Sequence, residues 1–268
     1  MIDVGANLTH ASFKEDLGEV VARARAAGVS TLIVTGTTVE ESREAAQIAE
    51  RFDLHSTVGI HPHHAKDFKG TDELKSIAAH PRVVAIGECG LDFNRNYSPH
   101  PAQEECFAAQ LQLGIELKKP LFLHSRDAHP RFSQIISSFK PQKAVAHCFT
   151  GEREELRAYL ELGLSIGITG WICDERRGKH LLELVREIPR DRLLLETDSP
   201  YLTPRDLKPQ PRARRNEPAF LPHILASVAR ALGRPAGEVA AETTRNARAL
   251  FGLHEPGPSA AAKRPLAA

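Results

Sequence analysis

Short apolar runs alternate with amphipathic stretches along the chain, and this alternation is its first structural signal. The runs are MIDVG (1–5), TLIVTG (31–36), STVGI (56–60), VVAIGE (83–88), LFLH (121–124), AVAHC (144–148), LSIGI (164–168) and LLLETD (193–198). Runs this short, bounded by glycine, proline or charge, read as buried strands. Between them FKEDLGEVVARARAAG (13–28) and PAQEECFAAQLQLGIELKK (101–119) repeat apolar residues at helical spacing. Two further helical stretches, 216–233 and 235–252, each end at a glycine, the residue that most readily takes the left-handed conformation closing a helix. Eight strands alternating with helices predict a parallel sheet, because parallel neighbours need crossover connections. Eight is also the number that closes a (β/α)8 TIM barrel, so the expected fold is an α/β barrel forming one domain over residues 1–253. An open, doubly wound sheet would carry GxGxxG after its first strand; the chain has DVGANLTH (3–10) there. The Pro/Ala-rich end, 254–268, has no apolar period and is expected to be a disordered tail.

In such barrels the active site lies at the C-terminal ends of the strands. The third run leaves through GIHPHHA (59–65) and presents His61, His63 and His64; the others deliver Glu88, His124, His147, Glu196 and Asp198. Two-residue alternation puts Val84, Ile86 and Glu88 on one face, Phe122 with His124, Val145 with His147, and Leu194 with Glu196 and Asp198. Glu88, His124, His147 and Asp198 then converge on the barrel axis, while Cys89 and Cys148 face the helices. A lone strand-end histidine or glutamate reads as a structural or rim residue. Four on separate strands would each carry a burial cost, which one divalent cation offsets together. The set is therefore expected to bind metal, with Asp198 also the general base. His61 and His63 are candidates for phosphate contact or leaving-group protonation, a structural HPHH turn being the alternative. Gly87 and Gly90 are expected to leave room for metal and phosphate. Imidazoles favour Zn2+ or Mn2+, whereas Mg2+ prefers oxygen and water.

A formal net charge of +1 excludes a globally basic nucleic-acid binder, so polyanion binding needs a local patch. The segment TPRDLKPQPRARRNEP (203–218) supplies one, with Arg205, Lys208, Arg212, Arg214 and Arg215 among prolines. Arg95, Arg126 and Arg176 follow other strands and extend it. Phosphate contacts of this kind give sequence-independent, salt-sensitive affinity. Phe93, Tyr97, Trp171 and Tyr201 lie near the same rim as candidate base-stacking residues, with core packing the competing role. Four scattered cysteines with no CxxC spacing suit a reducing, cytoplasmic setting. The chain shows no signal-peptide pattern and no apolar run near the ~20 residues that span a bilayer, so no membrane role is expected.

At these residues the chain resembles the TatD family of metal-dependent deoxyribonucleases, amidohydrolase-like barrels. The resemblance rests on AIGECGLDFNRNYS (85–98), LHSRDAHPRF (123–132), HCFTG (147–151), IGITGWICDERRG (166–178), LLLETDSPYLTPRDL (193–207) and RRNEPAFLPHI (214–224). It spans residues 1 to about 253. It implies Mg2+-dependent 3′–5′ exonuclease action on single-stranded DNA, extending to RNA, by a protein expected to be monomeric. It also implies a bridging glutamate at Glu88, histidine ligands at His124 and His147, and a catalytic aspartate at Asp198. One departure stands out. Much of the family opens with an HxH metal-binding pair, where this chain has Gly5 and Asn7, which leaves a second metal site in question. The same metal chemistry would serve an amide or ester hydrolase such as an aminoacyl-tRNA deacylase. A barrel that only binds nucleic acid is the third reading, and retention of Glu88, His124, His147 and Asp198 argues against it.

Overall fold

The computed structural model describes residues 1–211 and 214–254. Eight strands, β1 (Ile2–Ala6), β2 (Thr31–Val34), β3 (His55–Val58), β4 (Val83–Asp92), β5 (Leu121–Arg126), β6 (Ala144–Ala146), β7 (Ser165–Ile168) and β8 (Leu193–Leu195), form one sheet in chain order. Every neighbouring pair is parallel. The ring closes where the chain after β8 meets β1: Ala6 bridges Ser199, the Asp198 N–H donates to the Gly5 carbonyl at 2.9 Å, and the Asn7 N–H to the Ser199 carbonyl at 2.7 Å. This is the (β/α)8 barrel that the eight runs predict. Of the expected tail, only His254 falls within the described residues.

The helices α1 (Leu17–Ala26), α2 (Val39–Phe52), α3 (Asp72–Ala78), α4 (His100–Glu116), α5 (His129–Phe139), α6 (Arg153–Glu161), α7 (Leu181–Leu184), α8 (Leu221–Leu232) and α9 (Ala236–Phe251) follow the strands. Gly233 and Gly252, at φ of 65° and 66°, cap α8 and α9 as expected. Two apolar clusters follow from the strand period. Val34, Ile86, Leu123 and Ile166 pack outward with the helices. Val4, Ala85, Phe122, Val145 and Leu194 fill the interior, sealed at one end by Ala247, Leu250 and Phe251 of α9. The polar residues therefore stand on a packed apolar plug.

β4 breaks the simple period twice, which corrects the predicted face. Its pairing with β3 steps from Ser56–Val83 to Thr57–Ala85, and its pairing with β5 from Ile86–Leu121 to Cys89–Leu123. Each step inserts an extra residue, and a bulge of this kind redirects the side chains that follow. Ile86 thus packs outward with Cys89, while Glu88 turns inward among the imidazoles. The glycines have a different purpose from the one expected. A Cβ on Gly87 (φ 134°) would lie 2.1 Å from the Phe122 carbonyl oxygen, and one on Gly90 (φ 150°) 1.9 Å from that of His124. Both make room for the β5 backbone, not for metal or phosphate.

The loop after β8 is anchored by ion pairs. Arg215, expected to bind phosphate, donates to Asp16 at 2.7 and 2.9 Å and to Glu217 at 2.7 Å, with its guanidinium 4.9 Å from the Phe13 ring centroid. Arg23 adds two bonds to Glu217 and one to Asp16. Arg215 is therefore a structural clamp, because its donors are already engaged by carboxylates. The Arg215 hydrogen bonds outweigh burial and hold the Asp16 carboxyl down at about 2. A carboxyl depressed in the fold stabilises fully above its unfolded value near ~4, and the contribution fades as pH falls from ~4 through ~2. Asp16→Asn should cost about 1–2 kcal/mol at neutral pH and almost nothing at pH ~2, read from urea unfolding at both pH values.

Candidate metal centre

Three imidazoles converge on one carboxylate oxygen at the mouth of the barrel. Glu88 Oε1 lies 2.8 Å from His124 Nδ1, 3.2 Å from His61 Nε2 and 3.5 Å from His147 Nε2. Asp198 Oδ1 is 3.9 Å from His147 Nε2 on the far side. His61, Glu88 and His124 form one group of potential ligands, and His147, Cys148 and Asp198 adjoin it. β6 and β8 end at Ala146 and Leu195, so His147, Glu196 and Asp198 stand in the turns beyond their strands. Cys148 does not face the helices as expected: it lines the cavity, with Sγ 3.5 Å from Thr169 Oγ1.

The surrounding hydrogen bonds fix which nitrogens are free. Glu196, fully buried, holds His147 Nδ1 at 2.7 Å and accepts the Cys148 N–H at 2.6 Å. With its Nδ1–H donated to Glu196, His147 directs Nε2 at the centre, the arrangement common to metal-bound histidines. His61 is the opposite case. Its Nδ1 accepts the His63 backbone N–H at 3.1 Å, and burial lowers its pKa to about 4, so the neutral ring carries its proton on Nε2. His61 thus faces Glu88 as a hydrogen-bond donor and not as a ligand. His63 Nε2 sits 2.6 Å from Asp92 Oδ2. Burial raises the Asp92 carboxyl, but the His124 and His63 imidazoles outweigh it and hold it below the usual range.

The residues present fit a divalent cation. His124 Nε2 is buried without a hydrogen-bond partner, its distance to Asp92 Oδ2 being 3.6 Å. His147 Nε2 faces two carboxylate oxygens at 3.5 and 3.9 Å, too far for hydrogen bonds. Ligands held about 2.1 Å from a cation at tetrahedral angles stand roughly 3.4 Å apart. The charges agree with this. Burial opposes a charged His147, yet Glu196 and Glu88 raise it to about 10, and burial lifts Asp198 to about 7 against His147. Without a cation the cluster must hold protons that a cation replaces. Gly5 has no side chain to ligate with, and the Asn7 amide nitrogen is engaged by Asp198. A Cβ at Gly5 would lie 2.6 Å from Glu196 Oε2, and the Asn7 amide donates to Asp198 Oδ1 at 2.9 Å.

Known proteins resemble the chain over nearly its whole length. The chain matches the model of the TatD related DNase family over residues 2–252. It is 54% identical to a Pantoea sp. (strain At-9b) protein named 3'-5' ssDNA/RNA exonuclease TatD, over 94% of this chain and 100% of the relative. A protein of the same name from Klebsiella pneumoniae (strain 342) is 54% identical, over 94% and 98% of the two chains. The chain belongs to the TatD family. Among solved structures, a TatD homologue from Escherichia coli K12 superposes with a TM-score of 0.87 at 27% identity, covering 95% of this chain and 98% of that one. A phosphotriesterase homology protein from Escherichia coli, at 12% identity and TM-score 0.64, shares the barrel alone.

The cavity above this TatD-family centre has a volume of about 370 Å³. Arg126, Trp171 and Tyr201 lie on its wall. Trp171 is flanked by guanidiniums, with Arg177 4.5 Å and Arg126 5.3 Å from its ring. The other expected phosphate binders are dispersed. Arg95 is exposed at the outer end of β4, and Arg205 lies 3.5–3.6 Å from Glu175 and Asp174, neither residue lining the cavity. Arg214 is exposed beside Arg215, and Arg212 lies outside the described residues. Phe93 stacks on His100 at 3.6 Å and is not a wall of the cavity. Sequence reasoning missed Asp92 altogether and left Glu196 without a role. Both stand on the inward phase of their elements, which was the available signal.

Proposed function

We propose that the chain is a divalent-metal-dependent 3′–5′ exonuclease acting on single-stranded DNA and RNA. The observation that carries this reading is the placement of Glu88, His124, His147 and Asp198 at the floor of a cavity whose wall presents Trp171 and Arg126. The proposed cation is Mg2+, as the family resemblance implies, with Mn2+ and Zn2+ the competitors favoured by the imidazoles. Four free cysteines among the described residues suit a cytoplasmic protein, which we take to be a monomer. No helix of the described residues is long and apolar enough to cross a membrane.

A bound divalent cation supplies Lewis acidity, polarising a phosphoryl oxygen and easing deprotonation of water. Glu88, His124, His147 and Asp198 would hold it. Asp198, a carboxylate on the cavity floor beside the other ligands, is placed to take the water proton. His61, whose Nε2–H faces Glu88 Oε1 at 3.2 Å, helps hold the Glu88 carboxylate toward the centre. The Asn7 amide, which also donates to the Ser199 carbonyl, orients Asp198. Trp171 gives a stacking surface that accepts any base, and Arg126 and Arg177 add charge beside it.

Trp171→Ala should raise KM for single-stranded DNA about 5- to 100-fold while changing kcat little, since stacking contributes about 1–3 kcal/mol per base. The function is tested with single-stranded DNA and RNA labelled at either end. Stepwise loss from the 3′ end with added Mg2+ is the expected result. Release of an amino acid from aminoacyl-tRNA without cleavage of either nucleic acid would replace this reading with the deacylase.

A further inference from the structure

A second set of metal-ligating side chains lies by the loop that follows β8, beside a cavity sharing no lining residue with the central one. Cys173 ends the short turn Gly170–Cys173 after β7, Asp206 sits in the loop, and His223 lies on the first turn of α8. The Cys173 sulfur, an Asp206 oxygen and a His223 nitrogen are all within 4.8 Å of one another. His223 Nε2 is 2.6 Å from Asp206 Oδ1, and Cys173 Sγ is 3.4 Å from Ser227 Oγ, one helical turn beyond His223. Cys173, Asp206 and Ser227 line a cavity of about 360 Å³.

We propose that Cys173, Asp206 and His223 form a second cation site, selective for a borderline-soft ion of the Zn2+ class, which fastens the loop after β8 to the barrel wall. The donors carry the argument. Sulfur, imidazole nitrogen and carboxylate oxygen make up the ligand sets of zinc sites, and three protein ligands leave a fourth position for water. A hard ion such as Mg2+ has no use for the thiolate, so the site is chemically distinct from the centre. Their origin supports a clamp: three separate segments contribute one ligand each, and Asp206 directly follows Arg205. On binding, the Cys173 thiol gives up its proton to solvent and the sulfur bonds to the cation, while the His223–Asp206 contact opens so that both reach the ion. The site stands whichever substrate the barrel cleaves.

Titrating the full chain with Co2+ tests the ligand set, because a thiolate ligand alone produces a near-ultraviolet sulfur-to-cobalt charge-transfer band. The band should be present in wild type and in Cys148→Ser, which removes the other thiol near a candidate cation group, and absent from Cys173→Ser. Zinc at tenfold its Kd should slow tryptic cleavage after Arg205 about tenfold in wild type, and leave both Cys173→Ser and His223→Ala unprotected. Far-ultraviolet circular dichroism checks that the variants fold. A band that survives in Cys173→Ser, no band in wild type, or equal zinc protection in folded variants would overturn the proposal.

Discussion

Glu88→Gln should lower kcat/KM on single-stranded DNA by about 10^3-fold or more, with the far-ultraviolet circular dichroism unchanged. Glu88 Oε1 is the one atom that all three inward imidazoles approach, at 2.8, 3.2 and 3.5 Å. Burial pushes this carboxyl up, but the His147 charge and the hydrogen bonds from His124 and His61 outweigh it and keep it ionised. Glutamine keeps the shape and removes the charge, so any loss reports electrostatics and not packing. A cation held by the remaining residues would face two imidazoles and one carboxylate, and more Mg2+ should restore little of the rate.

Glu196→Gln is expected to act on the metal centre through His147. The Glu196 carboxylate fits between two glycines, since a Cβ at Gly5 or Gly167 would come within 2.6 and 2.2 Å of its oxygens. It accepts both the His147 Nδ1 proton and the Cys148 N–H. Glutamine has one acceptor oxygen, so one of these buried donors loses its partner, costing about 1–3 kcal/mol of stability. With the Nδ1 proton unsupported, the His147 tautomer no longer favours a free Nε2. The metal concentration for half-maximal activity should rise about 10- to 100-fold, while kcat at saturating metal changes less. A fall in kcat with no change in metal requirement would contradict this positioning role.

The barrel was legible because each strand is a short apolar run ending in punctuation, and eight such runs admit few arrangements. The four polar strand ends were legible for the same reason: charge at the end of a buried run is expensive. The face of Glu88 was less so. Strict alternation from Val84 places it correctly for the wrong reason, because Ile86 packs outward and the bulge at Gly87 restores the inward direction. Such bulges depend on how β4 fits β3 and β5, which no local pattern encodes. Basic residues were the weakest reading. Composition shows charge but not partners, and Arg215 is committed to Glu217 nearby and to Asp16, 199 residues away in sequence. Tautomers were beyond reach as well, since the distinction between His61 and His147 rests on a backbone N–H in one case and a buried carboxylate in the other.

The most direct test of the central claim is cleavage of 3′-labelled single-stranded DNA by chelator-treated protein, with Mg2+ or Mn2+ added back, in wild type and Glu88→Gln. Cleavage should vanish on chelation, return with the ion in wild type, and stay absent from the variant. Full-rate cleavage by the metal-free protein, or by metal-restored Glu88→Gln, would contradict a metal centre built on Glu88.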